Sequence, residues 1–98
     1  MEEGKGNEYA LIFSDVSLED LAFHDKVGSP ATIKRIDRVL KELETTPFVG
    51  IGKPHPLNYD YAGLWSRHLN KKDVIIYEVN KMEKTVLIYS ARYHYLDK

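Results

Sequence analysis

Short apolar runs alternate with amphipathic stretches along the chain, and their order predicts one strand, two helices and then three strands. The run YALIF at residues 9–13 is bounded by polar residues and is typical of a buried strand. Ser17, followed by an acidic residue three positions later, predicts a helix cap, and this first helix is expected to end near Gly28. Its predicted apolar stripe consists of Leu18, Leu21 and Ala22.

A second helix is predicted from Ser29 and Pro30, a cap residue followed by a proline at the first helical position. Thr46 and Pro47 end it, because the residue before a proline is disfavoured in the helical region. Its apolar positions recur at helical spacing: Ile33, Ile36, Leu40 and Leu43. Its solvent side is expected to carry Lys34, Arg35, Asp37, Arg38 and Lys41.

Three strands are predicted in the second half of the chain, after a loop over residues 47–62 that contains three prolines. They cover residues 64–69, 74–79 and 85–95, with a turn at 81–84. The order β-α-α-β-β-β predicts an α+β fold, with a two-helix hairpin packed on one face of a mainly antiparallel sheet. We expect a single domain over 9–95, a flexible lead-in at 1–8 and a short tail at 96–98.

Composition narrows the class of protein. The chain has 98 residues, 43% hydrophobic and 30% charged, which fits one small soluble domain. The absence of cysteine excludes disulfides, zinc knuckles and thiol nucleophiles. No apolar run approaches the roughly 18 residues of a membrane span, so no membrane partner and a cytoplasmic location are expected.

Charge is distributed unevenly between the two halves of the chain. The formal net charge is −1, but residues 1–46 carry six basic and ten acidic side chains, whereas residues 47–98 carry eight basic and five acidic ones. Three of the four histidines also lie in the second half. An acidic half and a basic half can conceal a polyanion-binding face within a near-neutral total.

Basic side chains and histidines recur near the ends of the predicted strands. Arg92 and His94 are two residues apart on the last strand, so they are expected to share a face about 7 Å apart. Arg67 and His68 point to opposite faces of another strand, and Lys53 and His55 come from the loop. Such groups can move protons and neutralise phosphate charge, which favours metal-independent phosphodiester chemistry. No metal site or cofactor is predicted, because no pair of histidines has ligand spacing.

The same residues have a structural interpretation that the spacing alone leaves open. A histidine near a strand end is often only a surface or hydrogen-bonded residue, and His24 is expected on the surface of the first helix. Lys71 and Lys72 fit a solvated hairpin, and Trp65 fits the core. On this interpretation the chain is a small α+β domain that binds RNA.

Four segments resemble the YoeB (Txe) branch of the RelE/ParE toxin superfamily: TPFVGIGKPHPL at 46–57, GLWSRHL at 63–69, IIYEV at 75–79 and ARYHY at 91–95. The resemblance covers about residues 9–95. It implies the toxin of a type II toxin–antitoxin pair, an mRNA interferase that cuts message in the ribosomal A site. It also implies a cognate antitoxin as partner and a homodimer.

The resemblance assigns roles to individual residues. His94 falls on the general acid and Tyr95 on the tyrosine that positions the reacting nucleotide. Arg67 matches the first arginine of the family's WSRR, and His55 occupies the place of its general-base glutamate. The catalytic residues expected are therefore His94, His55, Arg67 and Tyr95. The residues expected to bind RNA are Lys53, Arg92, His68, Lys71 and Lys72.

Three departures leave an alternative open. Val74 stands where the family has an arginine that stabilises the transition state, and His68 replaces the second arginine of WSRR. The family also usually ends at His-Tyr, whereas residues 96–98 follow here. The alternative is a catalytically degenerate protein that still binds an antitoxin or the ribosome. A third interpretation, a ParE-like gyrase poison, is disfavoured because those relatives lack the terminal Arg-x-His-Tyr.

Overall fold

The computed structural model describes residues 8–93, which form two helices and a five-stranded sheet. Predictions for residues 1–7 and 94–98, including those for His94 and Tyr95, lie outside the described residues. The elements are β1 (Ala10–Phe13), α1 (Asp15–Val27), α2 (Pro30–Leu43), β2 (His55–Pro56), β3 (Leu64–His68), β4 (Val74–Asn80) and β5 (Thr85–Ser90), with a 3₁₀ turn at Tyr59–Tyr61 between β2 and β3.

The sheet has the strand order β1-β5-β4-β3-β2. β1 pairs with β5 in parallel, and the three other pairings are antiparallel. The predicted α+β class with a mainly antiparallel sheet is therefore confirmed. The two-residue strand β2, which pairs His55 with Ser66, was not predicted because it lies inside the proline-rich loop.

Helix caps explain where both helices begin. Ser29 caps α2 as predicted, since its hydroxyl accepts a hydrogen bond from the Thr32 N–H at 3.1 Å. The prediction for α1 was wrong: its cap is Ser14, whose hydroxyl accepts from the Ser17 N–H at 3.0 Å. Ser17 lies inside the helix, and its hydroxyl donates back to the Ser14 carbonyl.

The core lies between α2 and the inner face of the sheet. Buried side chains of α2 pack with alternate residues of β4 and β5, as the period-two pattern of a strand requires. These residues are Ile36, Val39, Leu43, Ile75, Tyr77, Val86 and Ile88. Val39, which was not predicted, lies fully buried in the apolar stripe of α2. Ile33 and Leu40, which were predicted there, are only partly buried.

Helix α1 buries polar side chains instead of its predicted apolar stripe. Leu18 is 53% exposed, whereas Asp20 and His24 are 3% and 2% exposed. The prediction that His24 is a surface residue was therefore wrong. The buried polar face contacts the chain beyond β5, as described below.

Strand β5 is shorter than predicted, because pairing ends at Ser90 and not at Tyr95. The N–H and carbonyl groups of Ala91 bond to side chains of α1, and Tyr93 adopts a positive φ of 53°. Neither conformation continues a ladder with a neighbouring strand. None of the helices within residues 8–93 is long and apolar enough to cross a membrane.

Candidate active site

Arg67 is completely buried and holds the loop of residues 46–53, which we call the anchored loop. Its Nη1 donates to the Glu42 carboxylate at 2.7 Å, and its Nε donates to the Tyr77 hydroxyl at 3.2 Å. The remaining guanidinium bonds go to the main-chain carbonyls of Thr46, Val49 and Ile51. Arginine suits this position because its planar fork carries five donors and stays charged.

This geometry revises the expectation for Arg67. A guanidinium at 0% exposure, engaged with a carboxylate and three carbonyls, has no face open to a substrate phosphate. Period-two alternation also turns it toward the helices, on the opposite face from His68. Arg67 therefore organises the anchored loop, and we do not retain it among the residues that contact RNA.

Glu42 and Tyr77 complete the support of the anchored loop. Burial opposes ionisation of the Glu42 carboxyl, but hydrogen bonds from the Ile51 N–H and from two arginines hold its pKa below the ordinary value. Burial raises the pKa of the Tyr77 hydroxyl, and Arg67 offsets that effect only in part. The neutral Tyr77 hydroxyl donates to the Pro47 carbonyl at 2.8 Å, which fixes the start of the loop.

Two glycines let the anchored loop approach β3 closely. Gly50 and Gly52 have φ values of 135° and 82°, which side chains rarely adopt. A Cβ at Gly52 would lie 2.8 Å from the His68 carbonyl oxygen. The Gly52 carbonyl accepts from the His68 N–H at 2.7 Å, so the loop brings Lys53 next to His68.

A basic cleft lies where the anchored loop meets the end of β3. We use this name for the shallow depression of about 460 Å³ lined by Arg35, Lys53, His68, Leu69, Asn70 and Lys71. Lys53, His68 and Lys71 were predicted to bind RNA, and the structure brings these three exposed side chains together. Arg35 was missed as a site residue, because its exposed position on α2 gave no signal that the helix borders the loop.

His55 is exposed and follows Lys53 of the basic cleft by two residues, but it does not line the cleft itself. It pairs with Ser66 in the β2–β3 ladder, two residues from His68 on the same strand. Cross-strand partners and residues two apart on a strand share a face, so His55 and His68 project from the face away from the helices. Neutral imidazole can exchange a proton near neutral pH, and adjacent cations can bind phosphate oxygens.

The segment of residues 91–93 brings a second group of cations to the same end of the sheet. The Arg92 guanidinium carbon lies 3.6 Å from the centre of the Phe23 ring, and its Nη2 donates to the Tyr93 hydroxyl at 2.7 Å. Lys72 lies 5.9 Å from the centre of the Tyr93 ring. Lys72 follows Lys71 of the basic cleft, so the two groups of cations adjoin.

Val74 supplies no charge to this site. It pairs with His68 in the β3–β4 ladder and is 3% exposed, so it is a buried apolar side chain, although it does not belong to the core cluster packed on α2. Among the residues that the structure describes, no three histidine or acidic side chains converge in a way that could hold a metal ion. The cations available from the described chain are those of the basic cleft, Lys72 and Arg92.

Comparison with known proteins identifies relatives over most of the chain. A family model, described as the YoeB-like toxin of bacterial type II toxin–antitoxin systems, matches residues 13–95. Toxin YoeB of Escherichia coli O6:H1 is 34% identical over 85 residues, which span 87% of this chain and 98% of that protein.

Solved structures agree with the sequence match. A YoeB/ParE toxin from Agrobacterium tumefaciens superposes with a TM-score of 0.80 at 29% identity, covering 88% of this chain and 99% of that one. A YoeB dimer from Staphylococcus aureus has a TM-score of 0.76 at 28% identity, covering 90% and 99% of the two chains. A YoeB-YefM complex from the same organism gives 0.74 at 28% identity, covering 89% and 98%.

The fold and these matches define a toxin of a bacterial type II toxin–antitoxin system. Within that class, the chain belongs to the YoeB-like toxin family. The resemblance inferred from the segments at 46–57, 63–69, 75–79 and 91–95 is thereby confirmed.

Proposed function

We propose that this toxin is a ribosome-dependent mRNA interferase. The observation that carries the proposal is the basic cleft, with His55 and His68 exposed beside Lys53 and Lys71 at the sheet end where residue 93 leads into His94. A polyanion requires such a cluster of cations, and metal-independent cleavage also requires groups that exchange protons near neutral pH.

In the proposed reaction the ribose 2′-oxygen attacks the adjacent phosphorus. His55 takes the 2′-hydroxyl proton, the bond from phosphorus to the 5′-oxygen breaks, and His94 protonates that leaving oxygen. The products are a 2′,3′-cyclic phosphate and a 5′-hydroxyl. Protons balance in this step, because His55 gains one and His94 loses one, and exchange with water then returns both histidines to their starting forms.

The remaining site residues have binding roles in this proposal. Tyr95 positions the reacting nucleotide, and Lys53, His68, Lys71, Lys72 and Arg92 bind the RNA backbone. The charge that the family's missing arginine would supply at Val74 comes from Lys53 and its neighbours in the basic cleft. Losing one preorganised donor at a transition state costs about 10²–10³ in rate, so cleavage should be slower than with that arginine present.

The proposal predicts growth arrest when the chain is expressed in bacteria, and relief of the arrest by His94→Ala. In vitro, His55→Ala and Lys53→Ala should each lower cleavage of ribosome-bound message in the presence of EDTA. Lys41→Ala is the matched control, since Lys41 is exposed on α2 and does not line the cleft. Equal loss in Lys53→Ala and Lys41→Ala would count against the cleft.

We also propose that an antitoxin and a second copy of the chain are its protein partners, and that it acts in the cytoplasm with the ribosome. The S. aureus relatives were solved as a YoeB dimer and as a YoeB-YefM complex, which supports both expectations. An acidic antitoxin segment would complement the basic cleft. The test is whether the product of an adjacent reading frame co-purifies with the chain and blocks cleavage.

A second candidate function is favoured by Val74, which is buried and carries no charge. In that case the chain binds antitoxin and ribosome but does not cut. Wild-type protein would then leave message intact at high concentration while binding antitoxin tightly. A gain of cleavage in Val74→Arg would show that the missing arginine limits the rate.

A further inference from the structure

We propose that Asp20, His24 and Asp73 are positioning residues that fix the main chain of residues 91–93, and so the point from which His94 enters the active site. We call this arrangement the C-terminal anchor. The role rests on the proposed function, in which His94 is the general acid. The residues themselves were not assigned to the site by the sequence, since His24 was expected on the surface and Asp20 only in a capping box.

The first part of the C-terminal anchor holds both polar groups of one residue. The Asp20 carboxylate accepts the Ala91 N–H at 2.8 Å, and His24 Nε2 donates to the Ala91 carbonyl at 2.7 Å. The carbonyl can only accept, so Nε2 carries the proton. Asp20 and His24 are one helical turn apart on α1, which places them on the same face. The main-chain N–H and carbonyl of Ala91 bond to these two side chains instead of to a neighbouring strand, so β5 ends at Ser90.

The second part ties the segment to the turn that borders the basic cleft. The Asp73 carboxylate accepts the Tyr93 N–H at 2.8 Å and the Asn70 side-chain N–H at 3.0 Å. Asn70 lines the basic cleft, and its side-chain oxygen Oδ1 accepts the main-chain N–H groups of Lys72 and Asp73. The same turn therefore fixes both the cleft and the residue that precedes His94.

Burial distinguishes this arrangement from ordinary surface hydrogen bonding. Asp20, His24 and Asp73 are 3%, 2% and 4% exposed. Burying ionisable groups is unfavourable unless they are hydrogen-bonded, and apolar side chains would cover the end of a strand without that cost. Burial opposes ionisation of Asp73, but the Tyr93 N–H, Asn70 and the nearby His24 hold its pKa below the ordinary value.

The conformation of residues 92 and 93 shows that the direction of the chain is constrained. Tyr93 has a φ of 53°, a conformation uncommon for a bulky side chain, and its N–H is held by Asp73. The Arg92 guanidinium stacks on Phe23 of α1. Strained backbone that is held by surrounding contacts is a feature of functional sites. His94 is the next residue in the sequence.

The test separates positioning from binding. His24→Leu removes the donor to Ala91, and we expect kcat for ribosome-bound message to fall about 10²-fold with little change in KM, as for a misplaced catalytic group. His24→Gln keeps a side-chain N–H donor and should restore most of kcat. Unchanged kcat in His24→Leu, or equal loss in the leucine and glutamine variants, would overturn the positioning role.

A structural readout keeps the proposal testable without activity. Amide hydrogen exchange at Tyr93 should be roughly tenfold faster in Asp73→Ala than in wild type, and exchange at Ala91 should be faster by a similar factor in Asp20→Ala, because each variant removes the acceptor. Glu19→Gln, an exposed neighbour of Asp20 on the same helix, is the matched control and should leave both amides protected. Rapid exchange at Ala91 and Tyr93 in the wild type would overturn the C-terminal anchor.

The two proposals fail differently. An inactive wild-type protein whose Ala91 and Tyr93 amides are protected would overturn the mRNA interferase proposal and uphold the anchoring contacts. An active wild type whose His24→Leu variant cuts equally well would overturn the positioning role alone. If His24→Leu does not fold, kcat is compared between two variants of Asp73 instead. Asp73→Ala removes the acceptor for the Tyr93 N–H, whereas Asp73→Asn keeps an oxygen acceptor there.

Discussion

The anchored loop and the segment of residues 91–93 are both irregular, and both are fixed by buried polar side chains, but in different ways. One guanidinium, that of Arg67, binds three carbonyls of the anchored loop and one carboxylate. The segment after β5 is held instead by three side chains: Asp20 bonds to the Ala91 N–H, His24 to the Ala91 carbonyl and Asp73 to the Tyr93 N–H.

The difference indicates how each region should respond to substitution. Loss of Arg67 releases several loop contacts at once and leaves polar groups unpaired in the core, so the whole fold should weaken. Loss of one member of the C-terminal anchor leaves the other two side chains in place, so the segment should loosen while the fold persists. The predictions below test that contrast, from the largest expected change in stability to the smallest.

Arg67→Met should lower the free energy of unfolding by about 3–5 kcal/mol, because it breaks a buried ion pair and leaves carbonyls unpaired. Arg38→Met is the matched control, since Arg38 pairs with the same Glu42 at 3.2 Å but is 66% exposed. Its expected cost is about 0.3–0.5 kcal/mol. Urea unfolding measures both free energies. Similar losses of stability in the two variants would contradict the view that Arg67 stabilises the fold through several buried contacts.

Asp73→Ala should cost about 1–3 kcal/mol, since it removes the acceptor for the Tyr93 N–H and for Asn70. The urea m-value should stay unchanged, because the core remains packed. Asp60→Ala, in the exposed 3₁₀ turn, should change stability by less than about 0.5 kcal/mol. A loss in Asp73→Ala as large as that in Arg67→Met would remove the contrast between the two regions.

Acid should weaken both regions through their carboxylates. The pKa values of Glu42 and Asp73 lie below their ordinary values of 4.5 and 3.8, so each ionised group stabilises the fold above that value. This stability is lost as the pH falls through the lowered pKa. Unfolding measured from pH 7 to pH 3 should therefore show a shallower decline in Glu42→Gln and Asp73→Asn than in wild type. Parallel curves would contradict the assignment.

The double variant Lys53→Ala/His68→Ala should change stability by less than about 0.5 kcal/mol, because both side chains are exposed. Its effect should appear in RNA binding, where each lost phosphate contact reduces the salt dependence by about 0.7 for a single strand. Fluorescence anisotropy with labelled RNA at several salt concentrations measures this slope. A slope equal to that of wild type would show that the basic cleft does not contact phosphate.

Local sequence signals predicted most of the fold. Ser29 and Pro30 marked the start of α2, and the β-branched run at 74–79 marked the central strand, because caps and strand periodicity depend on near neighbours. The end of β5 was not predictable in this way. It depends on Asp20 and His24, about 70 residues earlier in the chain, and their polar face on α1 resembled an exposed one.

The candidate site was predicted only in part, again because local sequence signals do not show contacts between distant residues. Lys53 was predicted in the proline-rich loop, His68 on a strand and Lys71 in a hairpin, and the fold brings these three residues together. Arg67 was misjudged because alternation shows that neighbours face opposite sides but does not say which side is buried. The acceptors that allow Arg67 to be buried are main-chain carbonyls of a loop distant in sequence. Every residue has such a carbonyl, so the amino-acid sequence does not reveal which ones Arg67 contacts.

The measurement that tests the proposed activity most directly is end-group analysis of message bound to ribosomes and incubated with the purified chain in EDTA. We expect a 2′,3′-cyclic phosphate at the new 3′ end and a 5′-hydroxyl on the downstream fragment, with both products absent for His94→Ala. Message left uncut by the wild-type protein, or products formed equally by His94→Ala, would contradict the proposal.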